Sequence, residues 1–284
     1  MLPLRDITDW SPSARWATEA QIEQDLLITQ AVVAIFADPF LSGQVAMRGG
    51  TVLHKLHLAP AARYSEDIDL VAIGDRPRGH IVRALMRVLD PILGGPPARS
   101  VVERVKLAIR NAAQPNEVAR LTYEYAPTVP PPPIAALKIE INVTERTPVY
   151  PVVRLPYSPA LPGGARSVQV VSYDVNEMLG TKLRALLQRD HGRDLFDLAH
   201  AWTHCATPGH PHPIDAPAVA RIFAVYMAVE NAVVSRAQFE ASLARKLRLA
   251  RFGADLRDVL ATDVVYDVDG AADLVRTHYL SHLP

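Results

Sequence analysis

MRGGTVLHKLHLAPAARYSEDIDLVA, residues 47–72, is the stretch that decides the fold of this 284-residue chain. It predicts a strand end, a double glycine, a short helix, a loop and a second strand in which Ser65, Asp67 and Asp69 alternate with Ile68 and Leu70. Alternate residues of a strand point to the same side of the sheet, so Asp67 and Asp69 would share one face while Ile68 and Leu70 enter the core. Two adjacent carboxylates repel each other unless a cation lies between them, and the usual cation is magnesium bound to a substrate's phosphates. The stretch therefore predicts a metal site with Asp67 and Asp69 as ligands.

The double glycine predicts a phosphate-binding turn. Gly49, Gly50 and Thr51 would hold a triphosphate, because the glycines open a helix where backbone amides can approach an anion and the helix dipole favours phosphate. Thr51 and Lys55 lie one turn apart on one helix face, so Lys55 either reaches a triphosphate or stays in solvent. The chain has neither a G-x-x-x-x-G-K-[ST] nor a G-x-G-x-x-G signature. Alone, the glycines fit a tight turn and the aspartates a solvated strand edge, but their order and closeness favour a functional site.

Two arginines flank the predicted metal site. Arg48 comes just before the glycines and faces either phosphate or solvent. Arg63 lies on the carboxylate face if the second strand begins that early, where it would neutralise Asp67 or hold a phosphate; otherwise it belongs to a loop.

Composition describes a folded globular protein with 49% hydrophobic and 21% charged residues. Thirty basic and thirty acidic residues cancel, so binding to a polyanion must come from local patches. The lone Cys205 excludes an internal disulfide and favours a reducing compartment. No secretory signal opens the chain and no apolar run approaches the ~20 residues of a spanning helix, so we expect a cytoplasmic monomer without a membrane partner.

Hydrophobic periodicity predicts an α+β fold. The predicted helices cover residues 17–38, 80–93 and a segment from Asp174, and three or four more cover 215–281; the predicted strands cover 44–47, 101–109, 119–125, 136–143 and 167–172. Proline-rich segments connect them. We expect an N-terminal core at 1–172 and a C-terminal helical region at 173–284 that completes the active site.

The strand at 136–143 offers a third carboxylate. Its alternation places Lys138, Glu140 and Asn142 on the polar side. Glu140 is the candidate that completes the metal site and helps to deprotonate an attacking hydroxyl, or else it is a solvent-facing strand residue.

A further charged group is expected around the helix that starts at Asp174. Asp174 with Glu177 three residues later resembles a capping box, and Gly192 is suited to a left-handed helix end. Lys182 is in phase with the apolar side, where a lysine is costly unless it meets an anion. Asp194 and Asp197 then share a face three residues apart.

Several segments resemble one family. The stretches RGGTVLHKL (48–56), RYSEDIDL (63–70), LKIEINV (137–143), MLGTKLRAL (178–186) and RDLFDL (193–198) are similar to nucleotidyltransferase-fold toxins of the AbiEii/MenT type, over roughly 45–200. Their core is similar to that of polymerase beta. The resemblance implies a mixed-sheet nucleotidyltransferase that transfers a nucleoside monophosphate from an NTP with two Mg²⁺ ions. It also implies that Lys182 contacts the NTP phosphates and that Asp197, or secondarily Asp194, is essential for orienting Lys182 or the base and ribose of the nucleotide. Asp194 could instead be a structural helix cap.

The resemblance implies a biological role as well: a bacterial toxin that adds nucleotides to the 3′ end of tRNA, blocks aminoacylation and is controlled by a cognate antitoxin. In some relatives the Ser or Thr two residues before the first metal aspartate is phosphorylated, and Ser65 occupies that place. The acceptor could instead be a small molecule or a protein hydroxyl. A protein that only sequesters RNA or its antitoxin is the third alternative.

Two surface features complete the predictions. A basic cluster could follow an RNA backbone or form a solvated helix face; its proposed RNA-binding members are Arg245, Lys246, Arg248 and Arg251. The histidines at 204, 210 and 212 lack an ordered metal spacing and are predicted to be surface residues.

Overall fold

The computed structural model of the protein describes residues 2–93, 102–109, 118–129, 134–205 and 209–284. The predicted loop at 94–97 and the prolines at 130–133 lie outside them. The chain forms two compact units. The first comprises Met1–Leu56, Tyr64–Pro148 and Val152–Tyr173, and the second comprises His57–Arg63, Val149–Pro151 and Asp174–Pro284. Segments 57–63 and 149–151 of the second unit fall within the stretch that sequence assigned to the N-terminal core.

The first unit is built on a mixed sheet. In the described part of the chain it has seven strands: β1 (Val45–Arg48), β2 (Asp67–Ala72), β3 (Val102–Ile109), β4 (Val118–Tyr125), β5 (Ala135–Asn142), β6 (Val153–Tyr157) and β7 (Val168–Ser172). Their order across the sheet is β3-β4-β5-β2-β1-β7-β6. The β1–β7 and β2–β5 pairs are parallel and the other pairs are antiparallel.

The register at β2 gathers polar residues on one face. Arg48 of β1 lies opposite Asp69, and Lys138 and Glu140 of β5 lie opposite Asp67 and Asp69. Directly opposed residues point to the same side of a sheet. Ile68, between the aspartates, is fully buried. The predicted alternation of β2 and β5 is therefore present in the structure.

Helices cover the apolar face of this sheet. They are α1 (Leu4–Trp10), α2 (Glu19–Ala37), α3 (Gly49–Val52) and α4 (Arg78–Leu93), and a π-helical turn, Leu53–His57, continues α3. α2 begins with a capping box between Thr18 and Gln21 and packs against α4 and β7. Its predicted apolar positions, including Leu26 and Val33, are buried because the helix lies in the core.

Two strand predictions in the first unit need correction. β6 was not predicted; it is an edge strand, and Pro156 in it is tolerated because an edge strand need not donate every N–H. β2 begins at Asp67, so Ser65 precedes the strand instead of lying within it.

The second unit is helical. Its helices are α5 (Val175–Gln188), α6 (Gly192–Cys205), α7 (Ala216–Val229), α8 (Arg236–Leu247) and α9 (Val268–His278). α5 packs against α6 and α7, and α6 packs against α9. Three α-helices follow residue 215 in the described chain, within the predicted three or four.

The predicted N-cap of α5 at Asp174 is confirmed, whereas the predicted roles of Glu177 and Gly192 at its ends were wrong. Asp174 caps the helix by accepting the Asn176 N–H at 2.8 Å. Glu177 does not complete a capping box: it is fully buried and accepts the Val149 and Tyr150 N–H groups and the Tyr226 hydroxyl at 3.0, 3.0 and 2.6 Å.

Gly192 does not end α5 in a left-handed conformation but begins α6. A Cβ at Gly192 would overlap the backbone of Gly253, so close packing selects glycine there. Among the described residues, no helix combines the length and apolarity needed to cross a membrane.

Candidate active site

Asp67 and Asp69 form a carboxylate pair next to the glycine turn. Both are half-buried on the polar face of β2. Gly49 has a positive φ of 82°, and a Cβ at this position would overlap the Asp69 carboxylate. Glycine is required for both reasons: its backbone conformation is strained for other residues, and its missing side chain makes room for Asp69. The turn and the second carboxylate are thus in direct contact.

The carboxylate of Asp67 is incompletely satisfied. Its Oδ1 is buried and has no hydrogen-bond partner in the structure. The Lys138 ammonium lies 4.0 Å from this oxygen, which is too long for a hydrogen bond. Burial raises the pKa of Asp67 to about 6; Lys138 opposes the rise, and Asp69 and Glu140 add to it. A desolvated carboxylate beside other carboxylates is an arrangement that a bound cation would relieve.

These two residues suit a hard divalent cation. Mg²⁺ prefers oxygen ligands and is usually held by one or two carboxylates, with waters and substrate phosphates supplying the rest. In the parts of the chain that the structure describes, no group of three or more His, Cys, Asp or Glu side chains is arranged to hold a metal ion. Asp67 and Asp69 therefore fit a metal site in which a bound nucleotide would supply the remaining ligands.

Glu140 lies on the predicted face of the sheet but is already paired with an arginine. It lies opposite Asp69, and its Oε1 accepts the Arg120 Nε at 2.7 Å and also pairs with Arg120 Nη2. Arg120 was missed, although the alternation of ARLTYEY could have placed it on the polar side of β4. Lys138 was placed on the polar side but was not proposed as a partner of Asp67.

Arg48 also contacts an unpredicted partner. Its Nη1 pairs with Glu145 Oε2, and both side chains are mostly buried. Burial alone would lower the pKa of Arg48, but Glu145, Tyr173 and Asp69 together raise it above its ordinary value. In the structure Arg48 is therefore mostly buried against a carboxylate instead of facing bulk solvent. No sequence signal pointed to Glu145, which lies in the turn after β5.

Two predicted nucleotide ligands are anchored in the core instead. The Thr51 side chain is buried and donates its hydroxyl to the Asp67 carbonyl at 2.5 Å. The Lys55 ammonium lies 2.6 Å from Asp25 Oδ1 and donates to the Thr29 hydroxyl at 3.1 Å. The expectation of an exposed helix face was wrong, because the chain after Gly50 is buried. Both residues hold α3 in place.

A second group of charges lies within the helical unit. The Lys182 ammonium is 2.7 Å from Asp197 and 3.2 Å from Asp194. Arg189 donates Nε and Nη2 to Asp194 at 2.7 and 2.9 Å. Burial raises the pKa of Asp194, whereas Lys182 and Arg189 lower it. The net result is a pKa below the ordinary value of a carboxyl group. The buried lysine is thus paired with anions, as we expected because an unpaired buried lysine would destabilise the fold.

Arg63 belongs to this second group. It donates Nε and Nη2 to the two carboxylate oxygens of Asp197 at 2.6 and 2.7 Å. Of the two alternatives for Arg63, the structure therefore supports the loop and not the carboxylate face beside Asp67, since residue 63 precedes β2 and is part of the helical unit.

The predicted RNA-binding residues divide into two kinds. Lys246 is fully buried and donates to the carbonyls of Leu186, Leu187 and Arg189 at the end of α5, so its placement on an exposed surface was wrong. Burial lowers its pKa to about 8. The other three, Arg245, Arg248 and Arg251, are exposed.

Asp190 partly neutralises the exposed group, since Arg245 and Arg251 each donate to it at 2.9 Å. The histidines at 204, 210 and 212 are half-buried and stack edge to face or tilted, with ring centroids 5.2 and 6.0 Å apart along the series.

Comparisons with known proteins bear on the fold and the family of the chain. No curated protein matches the chain. Its fold is similar to that of MenT4, a nucleotidyltransferase toxin from Mycobacterium tuberculosis H37Rv, with a TM-score of 0.62 and 18% identity over 100% of this chain and 91% of that one. This similarity confirms the predicted α+β nucleotidyltransferase fold. The family profile described as "Nucleotidyl transferase AbiEii toxin, Type IV TA system" matches residues 30–273. The chain therefore belongs to the AbiEii family of nucleotidyltransferase toxins of type IV toxin–antitoxin systems.

Proposed function

We propose that this nucleotidyltransferase transfers a nucleoside monophosphate from a magnesium-bound NTP to the 3′ end of tRNA and so blocks translation. The observation that most directly supports this proposal is the buried Asp67 oxygen without a hydrogen-bond partner, next to Asp69 and the Gly49 turn. A charged oxygen left in this condition costs stability unless a ligand satisfies it. A metal-bound nucleotide is the ligand that the family's activity supplies.

Bound Mg²⁺, two ions by resemblance, would neutralise the phosphates of the NTP and hold them in line with the acceptor. Asp67 and Asp69 would hold the metal on the sheet face. Gly49 and Gly50 would let backbone amides approach the triphosphate. Glu140 remains the candidate base for the acceptor hydroxyl, a role that requires it to separate from Arg120.

Three residues of the helical unit enter the proposal through the resemblance. Lys182 would contact NTP phosphates, and Asp197, or secondarily Asp194, would orient it. The short distances from Lys182 to both aspartates support an orienting role. They also mean that the lysine must share its charge between carboxylate and phosphate.

The tRNA acceptor is supported by the exposed arginines of the second unit. Arg245, Arg248 and Arg251 could contact phosphates, whereas Lys246 is committed to α5. Phosphate contacts of this kind make binding salt-dependent. Replacing Arg248 by Glu should weaken tRNA binding without changing NTP affinity, because Arg248 lies on an exposed position at the end of α8.

Regulation at Ser65 is a further part of the proposal. Ser65 is half-buried two residues before Asp67. A phosphate there would add negative charge beside a carboxylate whose pKa is already raised by burial and neighbouring acids, and it would compete for the metal. Phosphorylation should therefore silence the enzyme.

The deciding experiment incubates the purified protein with each α-labelled NTP, Mg²⁺ and either total tRNA, bacterial protein or a panel of small-molecule alcohols. We expect label on the tRNA 3′ end, and none with a chelator or with Asp67→Asn. Glu66→Gln is the matched control, because Glu66 is the exposed neighbour of Asp67. Label on protein or small molecules would replace the tRNA proposal with one of the other acceptors. Growth arrest that persists in Asp67→Asn would favour a sequestering protein.

A further inference from the structure

Arg48 occupies a position that the proposed function does not yet use. It is the last residue of β1, directly before the Gly49 turn, and it lies opposite Asp69 on the polar face. A cation at this place is next to both the metal-binding carboxylates and the turn proposed for the triphosphate.

The partner of Arg48 is a carboxylate that is fixed in place. Glu145 donates its N–H to Asn142 Oδ1 at 2.9 Å, and its carbonyl accepts the Tyr173 hydroxyl at 3.1 Å. These bonds tie the turn after β5 to the sheet. The Glu145 side chain is only 11% exposed, so its carboxylate has little water to replace the guanidinium.

The guanidinium has donors to spare. Its described hydrogen bond to Glu145 uses Nη1, whereas an arginine side chain carries five N–H donors in a planar fork. Such a fork binds phosphate oxygens bidentately, which a lysine cannot do. Arg48 can therefore bind a phosphate at the cost of loosening its contact with Glu145.

The surrounding charges show why a cation is needed there. The polar face carries the carboxylates of Asp67, Asp69, Glu140 and Glu145 and the cations of Arg48, Lys138 and Arg120. Lys138 lies near Asp67 and Arg120 is bonded to Glu140. A triphosphate that entered this anionic surface would meet repulsion that a metal offsets only in part, and Arg48 is the cation nearest in sequence to the turn.

We propose that Arg48 and Glu145 form an exchangeable ion pair, in which Glu145 holds the guanidinium until the triphosphate of an NTP takes its place. This inference rests on the proposed function. It makes Arg48 a binding residue for the nucleotide and Glu145 its competitor.

The test measures Mg²⁺–NTP affinity by calorimetry on the full chain, without an acceptor. Glu145→Gln should bind NTP about three- to tenfold more tightly, because binding of the nucleotide no longer separates Arg48 from a charged carboxylate. The double variant Arg48→Gln/Glu145→Gln should bind at least about tenfold more weakly. It removes both charges together, so neither is left buried alone. Thermal unfolding of each variant checks that it is folded.

Arg236→Gln/Glu240→Gln is the matched control, because it removes an exposed ion pair of α8 and should leave the affinity unchanged. Unchanged NTP affinity in Glu145→Gln and in the double variant, with only a lower unfolding temperature, would overturn the exchange and leave a structural pair. If the wild-type chain binds no NTP at all, both the inference and the proposed function fail. Wild-type binding with unaffected variants overturns the inference alone.

Discussion

Two groups of charges in this protein are satisfied to very different extents. We call Asp67, Asp69 and their neighbours on the polar face of β2 the sheet-face group, and the five residues Arg63, Lys182, Arg189, Asp194 and Asp197 the helix group. In the helix group every carboxylate oxygen has a cationic partner at 2.6 to 3.2 Å. In the sheet-face group, Asp67 Oδ1 is buried without a hydrogen bond.

The difference appears in the pKa values. Within the helix group, Lys182 and Arg189 outweigh the burial of Asp194 and hold its pKa below the usual range. In the sheet-face group, burial together with neighbouring acids raises the pKa of Asp67 to about 6, against the effect of Lys138. Saturated carboxylates stabilise the folded chain, whereas an unsatisfied one lowers stability and is available for a ligand. We therefore expect transfer activity to depend most on the sheet-face group and stability to depend most on the helix group.

The largest expected effect is on activity at the sheet face. Asp67→Asn should lower nucleotidyl transfer by about 10³-fold or more, because a neutral amide cannot replace a metal-binding carboxylate. A labelled-NTP assay at saturating Mg²⁺ measures it, with Glu66→Gln as the control that keeps near wild-type rates. Retained activity in Asp67→Asn would remove the basis of the comparison.

The next effect is on stability in the helix group. Asp197→Asn leaves the guanidinium of Arg63 and the ammonium of Lys182 without their buried anion, and losing one partner of a buried ion pair costs about 3–5 kcal/mol. Denaturant unfolding should show this loss.

Asp190→Asn is the control for Asp197→Asn, because Asp190 also bonds two arginines but at the surface, and its removal should hardly move the midpoint. A folded Asp197→Asn variant of normal stability that has lost transfer activity would instead give Asp197 the essential role that the resemblance implies.

A third effect concerns the contact between the glycine turn and Asp69. Gly49→Ala should lower transfer about 10²-fold, because its Cβ displaces the Asp69 carboxylate, and it adds about 1–2 kcal/mol of backbone strain. Gly163→Ala is the control: Gly163 also has a positive φ, of 90°, but nothing lies within 4 Å of its added Cβ. Equal activities in the two variants would show that backbone strain alone matters.

A smaller effect is expected from pH. Asp67 must be ionised to bind a cation, so kcat/KM at limiting Mg²⁺ should fall about tenfold per pH unit below the pKa of about 6. More Mg²⁺ should shift the midpoint to lower pH, because the metal competes with the proton. If the pH midpoint does not change with the Mg²⁺ concentration, the titration belongs to another group.

The smallest effect is a gain in stability. The pKa of Asp67 is higher in the folded chain than in the unfolded one, so the folded chain binds the extra proton between about pH 4 and 6 and loses stability as the pH rises through that window. Asp67→Asn should therefore raise the unfolding temperature at pH 7.5 by about 2 °C, after allowance for the partial exposure of the side chain. At pH 4 the difference should vanish.

Much of the site could be predicted because its chemistry lies close together in sequence. The period-two pattern of β2 and β5 placed Asp67, Asp69 and Glu140 on one face, and the double glycine predicted the turn before the helix. Side-chain partners across strands could not be predicted. Arg120 and Glu145 are 20 and 97 residues from the groups they bind, and nothing local specifies those pairings.

The sequence by itself indicated the family, through the segments that resemble it. It also determined the α+β fold, the alternation that aligns the two aspartates and the glycine turn, because these depend on local periodicity or on backbone conformation. Only the tertiary structure decided which charges are saturated. It buried Lys55, Lys246 and Arg63 against partners far along the chain and left the buried Asp67 oxygen without a hydrogen bond. Burial and pairing depend on how distant segments pack, and packing sets whether a charge stabilises the fold or stays available for a ligand.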